Sequence, residues 1–184
     1  MAGIAKGAIV KASLKGVKNA FSKYGSWSGG AWLERAPEGF LQFEVAEALK
    51  EADCAYITLE DSVKDIMRWA SCNNIGKPPK VLKGRIDIIV WNKAPRPLTL
   101  VEVKKAQGNK SLNSDAQRIR TILGKCPGIR FGIAVAYSYA KSKNVLENRF
   151  KQIAEEINGK LEDWDVENKD GSFWGGAVFS LKAN

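Results

Sequence analysis

Apolar residues recur at helical spacing near the start of the chain. Val10, Leu14, Val17 and Phe21 fall on one face of a helix over 4–23, beside a basic stripe of Lys11, Lys15 and Lys18. The stretch YGSWSGG breaks the period and reads as a linker. APEGFLQFEVAEALKEA reads as a second helix, with Pro37 suited to the first helical position and Glu38 to the positive end of the helix. CAYITLE is strand-like. Asp61 then stands where it could cap a helix over 62–72, with Val63, Ile66, Met67 and Ala70 inward. NNIGKPPKVLKG is a basic loop, and strands follow at 85–91 and 98–104 around the turn-like NKAPRP. A helix over 112–124, the strand RFGIAVAYS, a helix over 144–158 stopped by Gly159 and a closing strand FWGGAVFSL complete the pattern. It predicts an α/β fold, a mixed central sheet flanked by helices. A basic N-terminal helix and linker over 1–30 precede a domain over 31–184.

Two positions disturb the apolar strands. If 85–91 and 98–104 pair around a turn between Ala94 and Pro95, Ile86 faces Val103, Ile88 faces Val101 and Val90 faces Thr99 on an apolar face. The other face pairs Ile89 with Leu100 and Trp91 with Leu98, and it sets Asp87 against Glu102. A slip of one residue would mix acids into both faces, so the pattern selects this parity. Opposed side chains have Cβ atoms about 4.5–5.5 Å apart, and opposed like charges weaken a sheet. Lys104 lies two residues beyond Glu102 and points the same way.

Such a pair should raise a carboxylate pKa, and a divalent cation would reverse that by holding both groups ionised. Mg²⁺ prefers hard oxygen ligands and keeps several waters, and a metal-bound water is a better nucleophile near neutral pH. Lys104 could orient that water or stabilise charge developing on a phosphate. The competing reading is a solvated sheet face on which Lys104 or Lys105 neutralises the acids. E-x-K by itself is a short pattern, and it recurs at Glu167–Lys169 in what reads as a turn.

Charge distribution sharpens the picture. The 184 residues carry a net charge of +9, which points to a polyanionic partner. Residues 75–130 hold thirteen basic side chains and three acids, Asp87, Glu102 and Asp115. The chain has no histidine, which excludes His-dependent triads, HNH-type nucleases and H-E-x-x-H proteases. Cys54, Cys72 and Cys126 are an odd, widely spaced set without C-x-x-C, which argues against a disulfide framework and a zinc site and for a reduced, cytoplasmic setting. No apolar run approaches membrane-spanning length, and no secretory signal pattern is present.

Ile86-Asp87 followed by Glu102-Val103-Lys104 resembles the signature of the PD-(D/E)xK nuclease superfamily, with its restriction-endonuclease-like fold. The resemblance covers roughly residues 36–140, in the αβββαβ order of that family; Ile86 stands where the name has Pro. It implies cleavage of nucleic acid, usually DNA, dependent on Mg²⁺ or Mn²⁺. Asp87 and Glu102 would bind the metal and Lys104 would assist the attacking water. It also implies a further metal-binding acid from the helix before the first core strand. Helical phase favours Glu38, which aligns with Leu41, Val45 and Leu49; Glu44 on the flank is the alternative, and Glu47 falls opposite. Some relatives carry a Gln on the helix after E-x-K, for which Gln117 is the candidate. Many enzymes of the fold act as homodimers.

Lys77, Lys80, Lys83, Arg85, Lys105, Arg118 and Arg120 are candidate phosphate contacts, each with surface solvation as the alternative. Two readings of the whole chain compete with the enzyme. One is an inactive nucleic-acid-binding module of the same fold. The other is an assembly protein that recruits a partner through the N-terminal helix.

Overall fold

The computed structural model describes residues 4–72, 83–106 and 110–183. In chain order the elements are α1 (Lys6–Trp27), a 3-10 turn (Leu33–Arg35), α2 (Glu38–Glu51), β1 (Tyr56–Ser62), α3 (Val63–Trp69), β2 (Arg85–Trp91), β3 (Pro97–Lys105), α4 (Lys110–Lys125), β4 (Phe131–Ala140), α5 (Lys143–Glu156), β5 (Lys160–Lys169) and β6 (Ser172–Leu181). The six strands form one sheet in the order β1-β2-β3-β4-β6-β5. Only β3 and β4 run parallel, joined through α4; the other neighbours are antiparallel. The mixed sheet flanked by helices is therefore present.

Helices cover both faces. On one face α1 and α2 bury Val17, Phe21, Leu41 and Val45 against Ile88, Val101, Val103 and Val135. On the other, α3, α4 and α5 bury Ile66, Ile119 and Phe150 against Ile89, Leu100, Ala134 and Phe179. Phe131–Ala140 is apolar almost throughout because it is central and covered on both sides.

The N-terminal helix is not an appendage, and this corrects the division expected at residue 30. It runs through Trp27, so the first residues of the supposed linker are helical. Its face of Ile9, Ser13, Gly16, Val17 and Ala20 is buried. A Cβ on Gly16 would stand 2.5 Å from Val45 Cα, so the two helix backbones approach as closely as glycine allows. The lysines reach acids within the chain: Lys6 to Glu162 (2.5 Å), Lys15 to Glu51 (2.8 Å), Lys23 to Glu44 (2.6 Å), and Lys18 to Asp165. Two of the three stripe lysines, Lys15 and Lys18, are thus paired within the chain.

Two of those acids lie on β5, a strand absent from the expected order. KLEDWDVENK has no clean apolar alternation because β5 is a sheet edge, bonded to β6 alone. Charged side chains are a common protection for such an edge. The second E-x-K, Glu167–Lys169, is thus in a strand rather than a turn. The cap of α3 is Ser62, whose Oγ accepts from Asp65 N at 3.2 Å, one residue after the expected Asp61.

Cys72 and Cys126 form a disulfide, with Cα atoms 4.6 Å apart, whereas the odd cysteine count had argued against one. Their sequence separation of 54 is invisible to motif spacing; the fold brings the end of α3 beside the end of α4. Among the described residues no helix is long and apolar enough to cross a membrane.

Two measurements test this architecture. Reducing the disulfide removes a loop constraint worth about 4 kcal/mol in the chain-entropy account, so the denaturation midpoint should drop clearly in reductant. Gly16→Ala should destabilise the fold by about 1–3 kcal/mol, as overpacking does; an unchanged midpoint would contradict the α1–α2 contact.

Candidate functional site

The expected register of β2 and β3 is present from Ile88 opposite Val101 to Val90 opposite Thr99. A bulge then sets Trp91 opposite Pro97 instead of Leu98. At the other end the regular pairing stops, and Val103 N–H donates to Asp87 Oδ2 at 2.8 Å. The alternation breaks there too. Ile88 and Val90 pack with α1 and α2, but Ile86 packs with α3 and α4, not on the face expected for it. Glu60, in the adjoining part of β1, has φ 58°, a left-handed backbone uncommon for a non-glycine residue. The strands thus lose their regularity around Asp87.

Glu102 is 1% exposed and faces α4. Burial, and next the charge of Asp87, push its carboxyl up to about 9. Burial also raises Asp87, against the opposing Val103 N–H and Lys104. Arg118 Nη2 donates to Glu102 Oε1 at 2.8 Å and to Asp115 Oδ1 at 2.5 Å. Both helix residues reach the sheet because α4 lies tightly on β4. A Cβ on Gly132 would stand 2.1 Å from Ile119 Cγ2.

Lys104 Nζ donates to Glu38 Oε1 at 2.7 Å and lies 3.7 Å from Asp115 Oδ2. Burial lowers its pKa, but the Glu38 bond and the charges of Glu38, Asp87 and Asp115 outweigh that, so the net shift is upward. Lys104 is therefore a fixed ammonium, suited to stabilising charge and not to taking a proton. The other oxygen of Glu38 accepts from Lys105 N at 3.3 Å, which ties the start of α2 to the end of β3. One turn on, Gln42 Nε2 donates to the Asp87 carbonyl at 2.6 Å and to Glu60 Oε1 at 3.1 Å.

The structure thus brings Glu38, Asp87, Glu102 and Lys104 together. It does not bring in the alternative, Glu44, which is buried between α1 and α2 with Lys23. Gln117 is exposed on α4, about 200° of helix turn from Asp115. Arg120, expected as a phosphate contact, is buried and donates to Asn158 O at 2.5 Å. Lys105 Nζ is likewise engaged, with the carbonyls of Glu34 (2.9 Å) and Ala36 (2.5 Å). Arg118 faces inward as a partner of acids. Lys83 and Arg85 are exposed at the start of β2, while Lys77 and Lys80 lie outside the described residues.

Asp115 and Gln42 were not singled out in the sequence. Asp115 had a signal: it is the third acid of the basic segment, one turn before Arg118. Gln42 had a weaker one, standing one turn after Glu38.

Among the described residues no group of three Asp, Glu or Cys side chains forms a ready metal cage. Mg²⁺ does not need one, since it is commonly held by one or two carboxylates and water. Asp87 and Glu102 offer hard oxygens in a pair that repels when both are ionised, and this donor set fits such an ion. No family model, curated protein or solved structure matches the chain.

The acid pair has a pH signature. An unfolded glutamate loses its proton near its ordinary value, whereas the folded pair holds one up to about 9. The folded state binds more protons across that window, so stability falls as pH rises through it. In EDTA, the wild-type Tm should decline from about pH 5 to 9, and Glu102→Gln should flatten the decline. A wild-type Tm that rises over this range would rule out the buried pair.

Proposed function

We propose that the chain is a metal-dependent nuclease of the PD-(D/E)xK type that hydrolyses phosphodiester bonds, most readily those of DNA. The observation that carries this reading is the Asp87–Glu102 pair with the Lys104 ammonium beside it, at the end of two adjoining strands. A pair of buried acids weakens a fold unless something uses it. With α3 taken as an insertion between β1 and β2, the order α2, β1, β2, β3, α4, β4 follows the αβββαβ pattern that the resemblance implies. The net charge of +9 suits a polyanionic substrate.

Asp87 and Glu102 would hold Mg²⁺ or Mn²⁺. When bound, the ion lowers the pKa of a coordinated water and neutralises phosphate charge. The chain's own residues do the rest. Water adds to phosphorus and gives up a proton to solvent, the bond from phosphorus to the leaving oxygen breaks, and that oxygen gains a proton from solvent. Lys104 stabilises the charge that builds on the phosphate oxygens. Glu38 fixes the Lys104 ammonium in place, and Asp87 is itself set by the Val103 N–H and by Gln42 on its carbonyl. Lys83 and Arg85, exposed on the approach, would contact the backbone of the nucleic acid without reading sequence.

The test uses supercoiled, linear and single-stranded DNA, and RNA, with Mg²⁺ or Mn²⁺. Wild type should cut DNA, and Lys104→Met should lose about 10²–10³-fold in rate, as removal of one transition-state donor does. Asp87→Asn should lose at least as much. No cleavage of any substrate by wild type, or equal cleavage by the variants, would refute the proposal. Binding with retained affinity but no cleavage would instead favour the inactive module.

A further inference from the structure

Arg118 holds an oxygen of Glu102 that a bound cation could otherwise take. Its Nη2 occupies Glu102 Oε1 at 2.8 Å, and the same nitrogen reaches Asp115 Oδ1 at 2.5 Å. The remaining donors of the guanidinium are less committed. Nε is buried and has no hydrogen-bond partner among the described residues. Nη1 lies beside the start of β2, where a Cβ on Gly84 would be 3.4 Å away. Gly84 is flanked by the exposed Lys83 and Arg85. The group is thus held by one edge, while its Nε has no partner among the described residues and its Nη1 lies near the basic approach to the site.

An arginine fork matches two phosphate oxygens through parallel N–H donors. A guanidinium and a divalent ion compete for Glu102 Oε1, since like charges repel at contact distance. Asp115 sits one helical turn before Arg118 and bonds the same nitrogen. It can keep hold of the guanidinium after Glu102 has let go, so a displaced Arg118 stays at the site.

We infer that Arg118 is a displaceable counter-ion: it neutralises Glu102 until a divalent cation arrives, then turns its freed fork, still anchored by Asp115, onto a substrate phosphate. This rests on the metal site proposed above and adds a residue that links cation and substrate. Linkage makes the effect reciprocal: a polyanion that draws Arg118 away strengthens cation binding by the same factor that the cation strengthens polyanion binding.

Calorimetric titration with Mn²⁺, in the absence of nucleic acid, tests the first half. Arg118→Gln keeps polarity but removes the competing charge. It should bind Mn²⁺ about tenfold more tightly than wild type, within the usual range for coupled sites. Glu102→Gln should lose the binding. Equal or weaker binding by Arg118→Gln would overturn the counter-ion role while leaving the metal site standing. Failure of both wild type and Arg118→Gln to bind Mn²⁺ would sink the metal site itself, and this inference with it.

Arg118→Met guards against a folding defect, since it keeps an extended side chain but not the charge. If Arg118→Gln does not fold, binding by Arg118→Met no tighter than wild type overturns the proposal. Fluorescence anisotropy with a labelled DNA duplex tests the second half. Adding Ca²⁺ should strengthen wild-type binding several-fold and leave Arg118→Gln nearly unchanged. An equal gain in both would refute the transfer to phosphate.

Discussion

A carboxyl buried beside another carboxyl must be neutralised, and much of this molecule is arranged around that requirement. Glu102 cannot be hydrated, because α4 covers it, and it cannot ionise freely, because Asp87 is its neighbour. The proton that Glu102 retains, the Arg118 guanidinium and the Val103 N–H each relieve part of the repulsion. These come from β2, β3 and α4. None of the three elements could meet the requirement alone.

The scaffold follows from this. β3 and β4 are parallel, so the chain must cross over between them, and the crossover helix is the one that carries Asp115 and Arg118. Gly132 allows that helix to rest directly on β4, which shortens the reach of Arg118 to the sheet. On the opposite face α2 begins at the end of β3, where Glu38 bonds both Lys104 and the Lys105 amide. α1 contributes by holding α2: their close contact at Gly16 and the Lys15–Glu51 and Lys23–Glu44 pairs position the helix that supplies Glu38 and Gln42. A domain whose site depends on α2 therefore depends on its first helix, although no residue of α1 is named in the site.

Particular residues show where local reading works and where it stops. Alternation alone sets the parity of β2 and β3, because a one-residue slip would bury acids on both faces. It does not foresee that Ile86 changes sides, since the irregularity at Asp87 and Glu60 answers to their own contacts. β5 escapes because an edge strand with charged side chains on it has no apolar period to detect. Gln117 and Arg120 look as eligible as Asp115 and Arg118 on a helical wheel. Only the direction from which the sheet is approached separates them.

The sequence by itself determined five of the six strands, the helices, the intrusion of Asp87 and Glu102 into apolar runs, and the place of Lys104 beside them. These are short-range facts, governed by the two-residue and 3.6-residue periods of the backbone. Tertiary structure decided the rest: that Glu38 and not Glu44 reaches Lys104, that Asp115 and Arg118 join the acids, that Cys72 meets Cys126, and that the first helix is core. Each of those is a pairing across distant segments. Its free energy depends on how closely two layers pack and what water they exclude, quantities that no local pattern contains.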